Sequence, residues 1–364
     1  MRAECSFFSG GTPNSTDAAL YNGTIPFIRS AEIDASETAL YLSEKGLMSS
    51  SAKLVKVGDL LLAMYGANSG EVAISRMNGA INQAILCIRS TSLQPALIKY
   101  CLERDKTKIT SRYLQGGQGN LSAEIIKELM FYFPQKCEQD KISRFISTIE
   151  ERIAAQRRLV ELLKKHKQGL LQSLFVNKNG KIKLRFNEFK DSWREYQISD
   201  LFEVTRGYVL PTKETKNECD EKYRFPVYSS QTKDEGLMGY YFKFLYENAI
   251  TWTTDGANAG TVHYRHGPFY CTNVCGVLLN DSGYANKCIG EILNSVAKHY
   301  VSYVGNPKLM NNVMSEIRIT IPSIREQQKI ATLLTWIDSR ISQSEKALIK
   351  TESIKNGLLQ QLFV

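Results

Sequence analysis

Two stretches of this chain carry the same spacing of apolar positions. Over 134–176, apolar residues recur three and four apart at Ile142, Phe145, Ile149, Ile153, Val160, Leu163, Leu170 and Leu174, with charged residues between them. Over 322–364 the stripe returns at Ile330, Leu333, Ile337, Ile341, Leu348, Leu359 and Leu362. That spacing marks one face of an α-helix, and a stripe this narrow is a coiled-coil seam. Pro134 and Pro322 stand just ahead of the two runs, where a missing N–H costs a helix nothing. At about 1.5 Å per residue each run makes a rod of roughly 60 Å. A rod with one apolar stripe needs a partner. The pattern predicts antiparallel pairing of the two, through Ile142, Ile149, Ile153 and Leu163 of the first and Ile330, Ile337, Ile341 and Leu348 of the second.

The rods are copies of one another. A shift of 188 aligns them without a gap over 43 positions, sixteen of them identical, and both close on nearly the same octapeptide, GLLQSLFV (169–176) and GLLQQLFV (357–364). Gly169 and Gly357 leave a bare helix surface, which allows close approach of another chain there. The segments between the rods follow a different pattern, with short apolar runs rich in Val, Thr, Tyr and Phe broken by turn residues. They too answer each other. GANSGEV (66–72) matches GANAGTV (256–262), Asn82 matches Asn273, and ELMFYFP (128–134) matches EIRITIP (316–322). The first copy carries about ten extra residues, expected within 30–46, a difference that surface loops tolerate. The predicted class is α+β, an internal duplication with pseudo-two-fold symmetry: a β-rich domain (1–133), a rod (134–176), a polar linker (177–192), a second β-rich domain (193–321) and a second rod (322–364).

Composition adds a lean rather than an answer. Forty-six Lys and Arg against 37 Asp and Glu give a net charge of +9, which favours a polyanionic partner. No run is long and apolar enough to span a bilayer, so a cytoplasmic protein is expected. The eight cysteines form no CxxC pair and suit reduced, buried thiols. His263, His266, Cys271 and Cys275 are of zinc-binding types, but HxxHx₄Cx₃C is not a common zinc spacing and the first domain has no counterpart. Cys271 and Cys275 are expected on one face of a strand. No metal and no cofactor are assigned.

The motifs GGTP (10–13), YNGTIPFI (21–28), the paired GAN(S/A)G loops, the REQQKIA opening of the second rod (325–331) and its GLLQQLF close occur in an order that resembles the specificity subunit of Type I restriction–modification systems. The resemblance covers nearly the whole chain. It implies two target-recognition domains, each reading half of a bipartite sequence in double-stranded DNA. It also implies helices that space the halves and dock two methyltransferase subunits, which recruit the restriction (translocase) subunits. The chain itself would be non-catalytic. Consistent with that, it has no GxxxxGK[ST] phosphate loop, no dinucleotide fingerprint, and an Asn-Pro (306–307) without the following aromatic on which a flipped base stacks. A coiled-coil scaffold whose heads bind proteins stands as the alternative, separable by a salt-dependent DNA affinity.

Bases are read by Arg, Asn, Gln, Ser and Thr, and phosphates by Lys and Arg, mostly from polar loops. In the first domain these criteria select Thr12, Asn14, Arg29, Asn68, Ser69, Arg112, Gln115 and Gln118. In the second they select Arg206, Tyr208, Ser230, Gln231, Lys233, Thr254, Asn258, Lys308 and Asn311. The glycines of the GAN loops recur in both heads and are expected to be scaffold, because heads that read different bases should differ where they read. Aligning ECSFFSGG (4–11) with DLFEVTRG (200–207) sets Met1 against Gln197 and leaves Trp193 without a counterpart, so the first domain is expected to begin short. It is expected to be the less stable of the two, as limited proteolysis would reveal.

Overall fold

The structure, a computed structural model, describes residues 1, 4–113, 121–175, 182–231 and 233–363. It divides into two compact units. The first is Met1–Arg157 with Ala347–Val364, and the second is Arg158–Lys346.

The first unit contains strands β1 (Cys5–Ser9), β2 (Ile25–Ile28), β3 (Tyr41–Leu42), β4 (Lys53–Val55), β5 (Leu60–Ala63), β6 (Val72–Ile74), β7 (Gly79–Ile81) and β8 (Ile85–Ser90). They form two four-stranded sheets, ordered β1-β8-β5-β6 and β3-β2-β7-β4. The run LLLA of β5 is buried on both faces, which is why it alternates with nothing and sits inside its sheet. The second unit contains β9 (Arg194–Gln197), β10 (Glu203–Arg206), β11 (Phe225–Tyr228), β12 (Leu237–Tyr241), β13 (Tyr246–Thr253), β14 (Val262–Cys271), β15 (Cys275–Leu279) and β16 (Arg318–Ile321). Here one six-stranded sheet runs β10-β15-β13-β14-β11-β12, beside a β16-β9 pair.

The registers show how one plan gives two sheet patterns. β5 pairs β6 with Leu61 opposite Ala73, and β13 pairs β14 with Thr251 opposite His263. β2 runs parallel to β7 at Phe27 and Ala80, and β11 runs parallel to the end of β14 at Val227 and Tyr270. So β14 continues through what the first unit splits into β6 and β7. The split falls at Gly58, with φ +94°, and at Asn78, whose side chain caps the Val57 N–H at 3.0 Å. In the second unit the same place carries only a bulge, with Asn248 at φ +49° and Gly267 at +72°. The extra residues of the first unit supply the helix Glu44–Met48 after β3. The segment 130–133, matched to β16, is not a strand. Phe131 and Phe133 pack inward while Met130 and Tyr132 are exposed.

Two long helices, Lys136–Leu174 and Ile324–Leu362, each begin in one unit and end in the other. In the first unit Ile142 and Ile146 pack with Leu359 and Phe363 and with Leu97 and Tyr100 of the helix Pro95–Tyr113. In the second, Leu174 and Phe175 share a core with Ile330, Leu334, Trp252 and Leu293. The first closing octapeptide therefore seals its helix end into the core under the second unit's sheet, and the second seals its end into a helical cluster of the first unit. Ile142, Ile153, Ile330, Ile337 and Ile341 are buried, and Ile149, Leu163 and Leu348 are half-buried. The expected stripe needs one correction. Phe145 is 51% exposed, and Ile146 is the fully buried residue; at the matched position Leu334 is fully buried and Leu333 only partly. Steps of four and three from Ile142 fit a helix as well as three and four, and the neighbouring domain decides between them. A Cβ on Gly169 or Gly357 would meet nothing within 4 Å among the described residues, so the helix surface at both is open.

Each unit also ties its helices together by the same charged cluster, at positions related by the 188-residue shift. In the first, Lys355 Nζ lies 2.6 Å from Glu150 and 2.8 Å from Glu103, and Lys99 bonds Glu150. In the second, Lys167 Nζ lies 2.9 Å from Asp338 and 3.0 Å from Glu291, and Lys287 bonds Asp338. Burial pulls the Glu150 carboxyl upward, but Lys99 and Lys355 outweigh it and hold its pKa below the ordinary value; Asp338 is held low in the same way by Lys287 and Lys167. Outside these clusters, Arg157 pairs Glu352 at 2.5 Å in the first unit and Lys164 pairs Glu345 at 2.6 Å in the second. Within each unit, positions rise along one helix as partners fall along the other, so the two run antiparallel.

Candidate nucleic-acid interface

In each unit the loops at one end of the sheet are cross-linked by backbone bonds. In the second, Gly207 N–H donates to Cys275 O, Tyr208 N–H to Cys271 O, Thr254 N–H to Val274 O and Leu309 N–H to Thr254 O. Gly207 is required here, since a Cβ would fall 2.2 Å from Cys271 O. Asn258 Nδ2 donates to Ser230 O, and Asn311 Nδ2 to Thr205 O. Loops around 206, 230, 255, 273 and 308 thus form one cluster. In the first unit Gly10 N–H donates to Asn82 O, Met64 N–H to Ala84 O and Leu121 N–H to Met64 O, which joins the matching loops.

The two clusters share a scaffold and differ at their tips. The GAN loops take positive φ at Gly66 and Gly70, and again at Gly256 and Gly260, which only glycine adopts without strain. At the tips, Thr12 donates to Gln83 at 2.6 Å in the first unit, whereas the second exposes Tyr208 and Val209 there. Arg206 there donates to Asn273 O at 2.9 Å, and with Tyr208 and Val209 it lines an open cavity of about 420 Å³.

The structure sorts the remaining candidates. Asn14 accepts from Thr16 and caps a turn. Arg29 is clamped on Glu32, at 2.8 Å, and that hydrogen bond lowers the Glu32 carboxyl to about 2 against its burial. Ser69 is buried and donates to Met64 O, and Thr254 is buried and donates to Asp255; both hold loops together instead of facing a ligand. Asn68 is half-buried on its loop. Ser230 is half-buried, and Gln231 donates to Leu237 O. Lys308 stands 3.9 Å from Asp255. Gln115 and Gln118 lie outside the described residues, as do the side chains of Arg112 and Lys233. Sequence reasoning missed Gln83, and it missed Val209, Tyr303 and Val304, which are exposed in the second cluster's loops. Large apolar residues exposed in such loops read as core in a pattern of hydrophobic runs.

The zinc-type residues do not converge. His263 lines a cavity beneath Asn258, His266 is exposed beside Tyr264, and the two thiols are buried with Phe269 and Val277. Cys271 ends β14 and Cys275 begins β15, so they face each other across a turn and not along one strand. Among the described residues no group of three or more His, Cys, Asp or Glu is placed to hold a metal. Burial, then the charges of Arg265, Lys287 and Lys167, pushes the His263 pKa down to about 3. As pH falls below about 6.5 the unfolded chain takes this proton before the folded one, so stability declines toward pH 3. The loss is about 2 kcal/mol at pH 5. All three tryptophans, Trp193, Trp252 and Trp336, lie in the second unit. Denaturant unfolding followed by their fluorescence should show this acid slope, and His263→Asn should flatten it; an unchanged slope refutes it.

A family model of the Type I restriction modification DNA specificity domain matches residues 5–165 and again 190–351. The chain belongs to this family, as a DNA sequence-specificity subunit. A candidate type I specificity subunit of Mycoplasma pneumoniae is 30% identical over 59% of this chain and 77% of its own length. The MjaIX type I specificity subunit of Methanocaldococcus jannaschii is 24% identical over 97% of this chain and 89% of its own. The crystal structure of the Type I system S subunit from M. genitalium superimposes with a TM-score of 0.71 at 17% identity, over 100% of this chain and 94% of that one, and so shares the fold. The protein-binding scaffold is not favoured.

Proposed function

We propose that each β-rich domain, 1–133 and 193–321, reads one half of a bipartite DNA site through its loop cluster, and that the two rods, 134–176 and 322–364, fix the gap between the halves. The observation that carries this reading is one loop scaffold kept in both units with different side chains at its tips: Thr12 and Gln83 in one, Arg206 and Tyr208 in the other. A shared frame with divergent tips is what two different half-sites require. Apolar side chains left exposed on the long helices, Leu162 and Trp336 among them, suit the docking of two methyltransferase subunits, which would bring the restriction subunits to the complex. The chain would supply recognition and no chemistry, in the cytoplasm; among the described residues no helix is long and apolar enough to cross a membrane.

Co-expression with the methylating partner, followed by genome-wide mapping of modified adenines, tests this. A bipartite motif with a fixed gap is expected, and Tyr208→Ala with Arg206→Ala should relax one half only. A contiguous motif, or relaxation of both halves, would overturn the assignment.

A further inference from the structure

One face of the sheet is apolar in the first unit and polar in the second. The strand registers match Leu61, Ala63 and Ala73 to Thr251, Thr253 and His263, and the next alternate position matches Ser75 to Arg265. Leu61, Ala63 and Ala73 fill a core cluster with Ile28 and Ile85, and the Ser75 hydroxyl is spent on Met77 O. The fold therefore closes this face with hydrocarbon when it can. Thr251, Thr253 and Arg265 are nonetheless buried in the second unit, at 2%, 8% and 6% exposure. Burying a guanidinium in place of a small side chain is costly unless something offsets its charge.

No close carboxylate does so. Arg265 Nε donates to Thr251 Oγ1 at 3.1 Å and Nη2 to Glu235 O at 2.7 Å, and the guanidinium lies 3.7 Å above the Tyr228 ring. The Glu235 carboxylate is 4.0 Å away on a side chain 77% exposed, beyond hydrogen-bond reach. The guanidinium also hydrogen-bonds the Tyr228 hydroxyl, so its five N–H donors meet three partners among the described residues, Thr251, Glu235 and Tyr228. Arg265 lines a cavity of about 110 Å³ with Thr251, Trp252, His263, Gln231 and Asn258. The last two belong to the loop cluster of the candidate interface. Asp234 and Glu235 hold left-handed backbone at φ +49° and +52°, a strained turn that brings the Glu235 carbonyl onto the arginine. His263 stays neutral beside that cation and can donate one hydrogen bond.

We propose that this cavity seats a single phosphate-type oxyanion, held by Arg265, His263 and the Gln231 and Asn258 amides. The proposal rests on the DNA-reading assignment for one source of that anion, a backbone phosphate, and free phosphate is the other. Buried arginine forks suit phosphate geometry, and a phosphate contact positions a reader without specifying sequence. At the matching position the first unit carries Ser75, whose hydroxyl donates to Met77 O.

The test uses the full chain. Affinity for a mixed-sequence duplex of about 30 base pairs is measured by anisotropy across a salt series, and orthophosphate is titrated against Trp252 fluorescence. For Arg265→Gln the slope of log affinity against log salt should shrink by about 0.9, the contribution of one phosphate. Arg265→Lys should keep it. A reduced slope assigns the anion to DNA. Saturable quenching by orthophosphate that the Gln variant loses, with the slope unchanged, assigns it to free phosphate. Normal DNA binding with neither effect makes Arg265 purely structural and overturns the proposal, leaving the DNA assignment intact. No DNA binding at all defeats that assignment instead, and the orthophosphate arm alone then decides. Should Arg265→Gln fail to fold, hydrogen exchange of the wild-type chain decides: no protection of 229–231 and 254–265 by either ligand overturns it.

Discussion

Lys355→Glu is expected to unfold the first unit's helix junction while sparing the second unit. Lys355 is the shared cation of Glu103 and Glu150, and its side chain is 14% exposed. Removing one partner of a buried ion pair costs about 3–5 kcal/mol, because the charge left behind is neither solvated nor paired. Reversal leaves three carboxylates around Lys99 alone, a larger penalty still, against total stabilities of about 5–15 kcal/mol. Lys355 also sits four residues before Leu359, so the loss falls where Leu359 and Phe363 lie against Ile142 and Tyr100. Far-UV circular dichroism should show a new early transition, whereas tryptophan fluorescence, confined to the second unit, should keep its midpoint. Adding Glu150→Lys restores two charges of each sign and should recover most of the loss. Lys167→Glu with Asp338→Lys is the matched pair for the second unit. A single unshifted transition for Lys355→Glu would show that the cluster is a solvated ornament.

The cluster's pH limits follow from the same pairs. The carboxyls of Glu150 and Asp338 are held low, so their contribution is present above the ordinary carboxylate range and is lost as pH falls through the folded values. Lys167 and Lys355 are held high despite burial, by Glu291 and Asp338 and by Glu103 and Glu150. Their contribution is complete below the ordinary lysine value and fades as pH rises through the folded one.

How far the sequence carried depended on whether a feature is local. The rods were legible because helical spacing and a gapless repeat are properties of residue order, and Pro134 and Pro322 mark their starts. The phase of the stripe was not, because Phe145 and Ile146 fit a helical face equally and the packing of Tyr100 and Leu359 decides. The GAN turns were legible from their glycines. The merging of two sheets into one was not, since it turns on a break at Gly58 and Asn78 against a bulge at Asn248. Arg29 could have been read better: Glu32 lies three residues on, in reach of an i, i+3 pair. Ser69 and Thr254 were polar loop residues by pattern, and only burial shows that their hydroxyls serve the loops. The Arg265 cavity was out of reach, because it joins residues from four strands and loops whose meeting no local spacing encodes.

Lengthening both rods together should change the gap between half-sites and leave the half-sites alone. The insertion points are after Arg157 and after Lys346, where each helix passes from one unit to the other. There the Arg157–Glu352 pair stays with the first unit and the Lys164–Glu345 pair with the second. Four residues add about 6 Å of helix and about 40° beyond one full turn. On B-DNA, rising about 3.4 Å per base pair, that corresponds to a gap longer by one or two base pairs. Neither loop cluster is altered, so methylation mapping should return the same half-sites with a wider spacing. Insertion in one rod alone sets Glu150 and Lys355, or Lys167 and Asp338, against displaced neighbours and should abolish modification. New half-sites at the old spacing would mean that the helices carry recognition and that the loop clusters do not.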